Sequence, residues 1–172
     1  MTETIINDPI PQFTEEELKT VNMHIAKYPT KMSAVMPVLW MLQEKYGWIS
    51  EPSMKYAGEL LDLTSEHVLG VASFYTMYFK KPRGKFHLQI CTNVSCMLCG
   101  GDKLFTYVSE KLGIKNNQVT PDGVFSIEEV ECLGSCGTAP MLQVNNKEFY
   151  ENLTLEKVDK LLDDFRTKAG SN

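Results

Sequence analysis

Apolar residues over the first eighty positions recur at helical spacing, whereas beyond Lys85 stretches of period two alternate with stretches of period 3.6. Thr14 and Glu17 make a capping box, and Leu18, Val21, Ile25 and Tyr28 continue one helical face until Pro29 stops it. A second helix is expected from about Ser33 to Tyr46, with Val35, Leu39, Leu42 and Tyr46 on one face and Gly47 at its end. Pro37 is tolerable there because it lies near the first turn. Ser50 and Pro52 open a third helix through Leu61, and Thr64 opens a fourth through about Phe74, with Glu66 where the helix dipole favours an anion. Four short amphipathic helices predict a small bundle.

The Lys80-Lys81-Pro82-Arg83-Gly84-Lys85 stretch interrupts both periods and marks a boundary. Phe86, Leu88 and Ile90 then alternate with His87, Gln89 and Cys91, which predicts a half-buried strand delivering Cys91 at its end. Gly100-Gly101 leads to Asp102 and a helix carrying Leu104, Val108 and Leu112, closed by Gly113. Pro121-Asp122-Gly123 is a turn, and Phe125 to Cys132 reads as a strand although Glu128 and Glu129 break its alternation. A further strand, Met141 to Asn145, turns at Asn145-Asn146 toward Phe149-Tyr150, and Thr154 opens a last helix with Leu155, Val158, Leu161, Leu162 and Phe165. Strand, helix, strands, helix make an α/β sandwich. The expected organisation is a flexible N-terminus at 1–12, a helical bundle at 13–81, an α/β domain at 82–167 and a flexible C-terminus at 168–172.

Composition adds what the chain is not. The 172 residues carry a net charge of −5 with 43% hydrophobic residues, enough for a real core and unsuited to nucleic-acid binding. The longest mostly apolar run, Val68 to Phe79, is too short for a membrane helix, and the start shows no signal or presequence character, so the expectation is a cytoplasmic protein or one cut before this numbering begins.

The cysteines carry the chemistry. All five follow residue 90: Cys91, Cys96 and Cys99 in one group, Cys132 and Cys136 in another, beside Gly100, Gly101, Gly134 and Gly137. An odd number in a reducing compartment argues for metal or redox work rather than disulfides. C-x4-C and C-x3-C loops supply two thiolates each, which is what the two irons of a two-iron cluster demand, and the glycines permit backbone N–H groups to approach sulfur. The same residues admit rivals. Cys91, Cys96 and Cys99 plus one distal cysteine match a plant-type ferredoxin spacing; four thiolates suit structural zinc; and Cys96-Met97-Leu98-Cys99, with Ala139-Pro140 before a strand, matches a thiol–disulfide oxidoreductase. Glu128, Glu129 and Glu131 beside Cys132 are expected to disfavour the reduced form of any cluster they approach.

Taken together, Cys91-x4-Cys96, Cys132-Leu133-Gly134-x-Cys136, Ala139-Pro140, Phe74-Tyr75-Thr76-Met77-Tyr78 and Glu44-Lys45-Tyr46-Gly47-Trp48 resemble the 24 kDa subunit family of respiratory NADH:quinone oxidoreductase, complex I. The resemblance runs from about Phe13 to Phe165. It implies a thioredoxin-like [2Fe–2S] ferredoxin domain behind an N-terminal helical bundle, with Cys91, Cys96, Cys132 and Cys136 as the cluster ligands and Cys99 departing from the family pattern. It further implies an electron-transfer subunit, not catalytic alone, that exchanges single electrons with the flavin of an NADH-binding partner in the peripheral arm of a membrane complex. Related subunits serve NAD-linked hydrogenases and formate dehydrogenases. No GxGxxG or GK[ST] loop occurs in the chain, so NADH and FMN are expected only in the partner. His24, His67 and His87 are too dispersed for a site, and the aromatic run Phe74 to Phe79 is read as a docking surface for that partner in preference to a seal on the bundle.

Overall fold

The computed structural model describes residues 11–170. The expected flexible stretches at 1–10 and 171–172 lie outside the described residues. Gln12, by contrast, is tied in place: its N–H donates to the Tyr46 hydroxyl at 2.9 Å and its carbonyl accepts from the same hydroxyl at 3.0 Å. The chain forms two compact units that divide after Pro82.

The first unit contains α1 (Glu15–Ala26), a 3-10 turn at Lys31–Ala34, α2 (Val35–Tyr46), α3 (Glu51–Leu61) and α4 (Ser65–Phe74). The capping box at Thr14 and Glu17 is present in both directions. Ser50 and Thr64 cap α3 and α4, and Gly47 ends α2 in the left-handed region that an L side chain resists. Val38, Leu39, Leu42, Ile49, Ala57, Leu61 and Val68 fill the core. Gln43 is buried with them because both ends of its amide are hydrogen-bonded, the NH2 donating to the Met77 carbonyl at 2.8 Å and the oxygen accepting from the Phe79 N–H at 2.6 Å. The chain beyond α4 is thereby sewn onto α2. The aromatic run consequently splits: Tyr78 and Phe79 are buried, whereas Phe74 is 78% and Tyr75 39% exposed. Tyr78 and Phe79 thus belong to the core of the bundle, and of the aromatic residues in the run only Phe74 and Tyr75 are left at the surface.

The second unit is built on β1 (Phe86–Cys91), α5 (Val94–Leu98), α6 (Gly101–Leu112), β2 (Phe125–Val130), β3 (Leu142–Val144), β4 (Glu148–Tyr150) and α7 (Leu155–Gly170). The sheet order is β2-β1-β3-β4, with β1 parallel to β2 and the other pairs antiparallel. Leu88, Ile90, Phe125, Ile127 and Leu142 from the strands share one core with Leu104 and Val108 of α6 and Leu162 and Phe165 of α7. Phe86 stacks on Phe165 with centroids 4.3 Å apart. Mixed helix and sheet packing of this kind agrees with the expected α/β class.

β1 departs from its expectation of one wet face. As a central strand it is buried from His87 to Cys91. Its polar side chains survive there through hydrogen bonds: Gln89 donates to Asn146 at 2.8 Å, and the His87 ring nitrogens lie 2.8 Å from Ser126 Oγ and 2.9 Å from Glu128 Oε2. Gly84 leads into the strand so closely that a Cβ on it would stand 2.3 Å from the Phe125 backbone. α5, a one-turn helix inside the first cysteine loop, has no counterpart among the expected elements. β2 stops at Val130, short of the expected Cys132.

Candidate metal centre

The chain reaches the site from the ends of the two parallel strands. β1 ends at Cys91, whose N–H donates to the Met141 carbonyl at 3.3 Å, and the next residue, Thr92, donates from its N–H to the Val130 carbonyl at 3.2 Å, holding the two loop roots together. Asn93 caps α5 by accepting from Val94 N–H, and α5 turns Cys96 inward. Cys91 and Cys96 are each only 2% exposed and pack with Met141, Leu133 and Ala139. The Ala139–Pro140 peptide is cis and directly precedes Met141.

Cys132 and Cys136 project from the loop after β2 and are exposed. Their sulfurs lie 3.4 Å apart. Two thiolates on one tetrahedral metal, with bonds of roughly 2.3 Å, stand roughly 3.8 Å apart, so this pair needs little rearrangement to grip a metal atom. Gly134, in the left-handed region, turns its N–H onto Cys132 Sγ at 3.4 Å. That N–H, followed by the Cys136 thiol, holds the Cys132 pKa below its ordinary value, while Cys132 in turn pushes Cys136 up.

The inner pair behaves differently. Burial, then the neighbouring Cys91 thiol, pushes Cys96 up to about 11. The pairs also feel each other, since Cys136 raises Cys96 and Cys91 raises Cys136. The two pairs sit on loops whose roots are joined by the hydrogen bond from Thr92 N–H to the Val130 carbonyl, one pair buried and the other exposed. Among the described residues no group of three or more His, Cys, Asp or Glu side chains is arranged around a single ion. The two-and-two division suits a pair of irons sharing bridging sulfides, each needing two protein thiolates.

Cys99 caps the end of α5 with its N–H on the Ser95 and Cys96 carbonyls, and the residue is exposed. In a Cys96–Cys99 exchange pair the Cys96 thiol is buried with its pKa pushed up, the opposite of the stabilised thiolate that a reactive cysteine needs.

Carboxylates surround the loops in a way that local sequence does not reveal. Glu129 accepts from Thr92 Oγ1 at 2.8 Å and Glu131 from Asn93 Nδ2 at 2.7 Å, so both grip the Cys91–Cys96 loop. Glu128 points instead to His87 and Arg83. On the second loop, Glu151 accepts from Ser135 and Thr138. The glutamates at 129 and 131 are visible in the sequence as charges beside Cys132, but their bonding requires the β1–β2 register. Glu151 lies too far along the chain to carry any local signal. Gly101 likewise serves close packing, since a Cβ there would meet the Cys91 and Cys96 carbonyl oxygens at 2.7 and 2.9 Å.

The chain is 42% identical over 152 residues to NADH-quinone oxidoreductase subunit 2 of Thermus thermophilus, covering 87% of this chain and 84% of that relative. It is 42% identical over 141 residues to an E-type subunit of the NADH-quinone oxidoreductase of Rhizobium meliloti (strain 1021), covering 82% and 83%. To the E-type subunit of the NADH-quinone oxidoreductase of Rickettsia bellii (strain RML369-C) it is 41% identical over 157 residues, covering 90% and 93%. Among solved structures, an NAD+-reducing [NiFe]-hydrogenase in its H2-reduced state shares the fold with a TM-score of 0.66 at 18% identity, over 76% of this chain and only 22% of the hydrogenase chain. The thioredoxin-like [2Fe–2S] ferredoxin pattern itself matches from residue 21 to 166, a span that includes Cys91, Cys96, Cys132 and Cys136, and the chain belongs to that family.

Proposed function

We propose that this chain is the electron-transfer subunit of an NADH-quinone oxidoreductase and holds one [2Fe–2S] cluster on Cys91, Cys96, Cys132 and Cys136. The observation that carries the reading is the placing of two thiol pairs, one buried and one with sulfurs 3.4 Å apart, on loops that leave the adjacent ends of the parallel strands β1 and β2. When bound, the cluster supplies reversible one-electron chemistry. The chain's own residues do the rest. Met141, Leu133 and Ala139 exclude water from the inner pair, and the Gly134 N–H offsets negative charge on the Cys132 sulfur. Glu129 and Glu131 brace the first loop and place charge beside it.

A chain without a phosphate-binding loop leaves NADH oxidation to another subunit, so the partner is an FMN- and NADH-binding flavoprotein within a larger complex. The exposed Phe74–Tyr75 pair, with rings in T-shaped contact at 5.0 Å, offers an aromatic anchor for it. No helix among the described residues is long and apolar enough to cross a membrane. Attachment to the membrane complex would then run through other subunits, on the cytoplasmic side.

The test is a serine series on protein prepared without oxygen. Wild-type protein is expected to hold about two irons and two sulfides per chain. Cys91→Ser, Cys96→Ser, Cys132→Ser and Cys136→Ser should each lose or strongly perturb the electron paramagnetic resonance signal of the reduced protein, whereas Cys99→Ser keeps it. A normal signal in Cys136→Ser with none in Cys99→Ser overturns the ligand set; stoichiometric zinc without sulfide overturns the electron-transfer reading.

A further inference from the structure

The loop that carries Cys132 and Cys136 is held from outside by a segment containing no cysteine. Glu151 follows β4 directly, and its Oε1 accepts from both Ser135 Oγ and Thr138 Oγ1, the latter at 2.6 Å. The two hydroxyls are 2.7 Å apart, so both converge on one carboxylate oxygen. The backbone repeats the attachment: Asn152 N–H donates to the Thr138 carbonyl at 2.7 Å, and Thr138 N–H donates to the Ser135 carbonyl at 3.2 Å. Ser135 and then Thr138 hold the Glu151 carboxyl below its ordinary value, so it is ionised at neutral pH. Glycines at 134 and 137 make this loop intrinsically permissive, and something other than its own sequence must fix it. Ser135, adjacent to Cys136, is therefore the link between a sulfur and a fixed negative charge.

We propose that Glu151 is a positioning residue for the [2Fe–2S] centre: through Ser135 and Thr138 it fixes the loop bearing Cys132 and Cys136, and its charge makes the centre harder to reduce. The inference rests on the ligand assignment above. A carboxylate accepting two hydroxyl bonds anchors more firmly than a neutral acceptor. Reduction adds a negative charge, which a nearby fixed anion opposes. Glu151 is solvent-exposed, so screening keeps the electrostatic part modest.

Full-length protein loaded with its cluster is compared as wild type, Glu151→Gln, Glu151→Ala and the double variant Ser135→Ala/Thr138→Val. The measurements are iron and sulfide content, redox titration followed by electron paramagnetic resonance, and the rate of iron release to a chelator. Glu151→Gln keeps an acceptor and removes the charge. It should retain iron, sulfide and signal shape while shifting the reduction equilibrium roughly threefold toward the reduced form, about 28 mV at 59 mV per decade for one electron. Glu151→Ala should release iron at least threefold faster, and the double variant should do the same without the rise in potential. Unchanged potential in Glu151→Gln together with unchanged iron release in Glu151→Ala overturns the inference while leaving the ligand assignment standing. A wild-type chain that binds zinc and no sulfide overturns both.

Discussion

His87 sits at 0% exposure in the central strand, with Ser126 and Glu128 on its two ring nitrogens and Asn145 accepting from its backbone N–H at 2.8 Å. Arg83 lies beyond, 3.6 Å from the same Glu128 oxygen. Burial lowers the His87 pKa first and foremost, Glu128 opposing it and Arg83 assisting. The folded chain thus keeps the imidazole neutral where the unfolded chain begins to bind a proton, near pH 6.5. Its contribution to stability is complete above that pH and is lost as the pH falls toward the folded-state pKa. Urea unfolding at pH 7.5 and 5.5 should show wild type losing more stability between the two than His87→Gln; equal losses would show that the network carries no such linkage. Alternation puts His87 and Gln89 on a wet face, correctly opposite Phe86, Leu88 and Ile90 in the strand. What local sequence could not show is the covering of that face, which depends on Ser126, Asn145 and Asn146, dozens of residues away.

The elements that hold the cysteines are less legible than those that hold the core. Helices α1 to α4 and strand β1 announce themselves through caps and long periodic runs, and the structure starts and stops them close to the expected residues. α5 is a single turn whose Val94, Met97 and Leu98 stay exposed, so it leaves no hydrophobic period to read. The paired glycines at 100 and 101, where α6 begins, are legible as a loop signal, but the packing role of Gly101 is not. Gly101 lets the start of α6 lie against the backbone of both Cys91 and Cys96. Gly101→Ala should therefore displace the first cysteine loop and sharply reduce iron content, with the far-ultraviolet circular dichroism of the sheet and helices retained. Gly137→Ala, where a Cβ meets nothing within 4 Å, is the matched control and should keep its iron. If both variants load alike, close packing at Gly101 is not what sets the loop.

On the scale of the whole molecule, each unit has its own core, one around Leu39, Leu42 and Val68 and the other around Leu88, Ile127 and Phe165. A chain beginning at Pro82 should accordingly fold and give the two-iron spectrum, but no longer co-elute with a co-expressed flavoprotein partner on size exclusion. Binding as tight as that of the full chain would reduce Phe74 and Tyr75 to ordinary surface. The thiols Cys91 and Cys96 group with Met141 in a small cluster distinct from the second unit's main core. That separation makes the centre a serviceable part. A chain stripped of iron should keep its sheet and helices, so that a damaged centre could be renewed without remaking the protein. Circular dichroism before and after chelation should overlay, and iron with sulfide should restore the signal without a refolding step. The vulnerable moment lies in between, when Cys132 and Cys136, exposed and with sulfurs 3.4 Å apart, are open to closure by a two-electron oxidant. On the proposed ligand set, upkeep of this subunit would reduce to keeping one surface loop reduced until its metal returns.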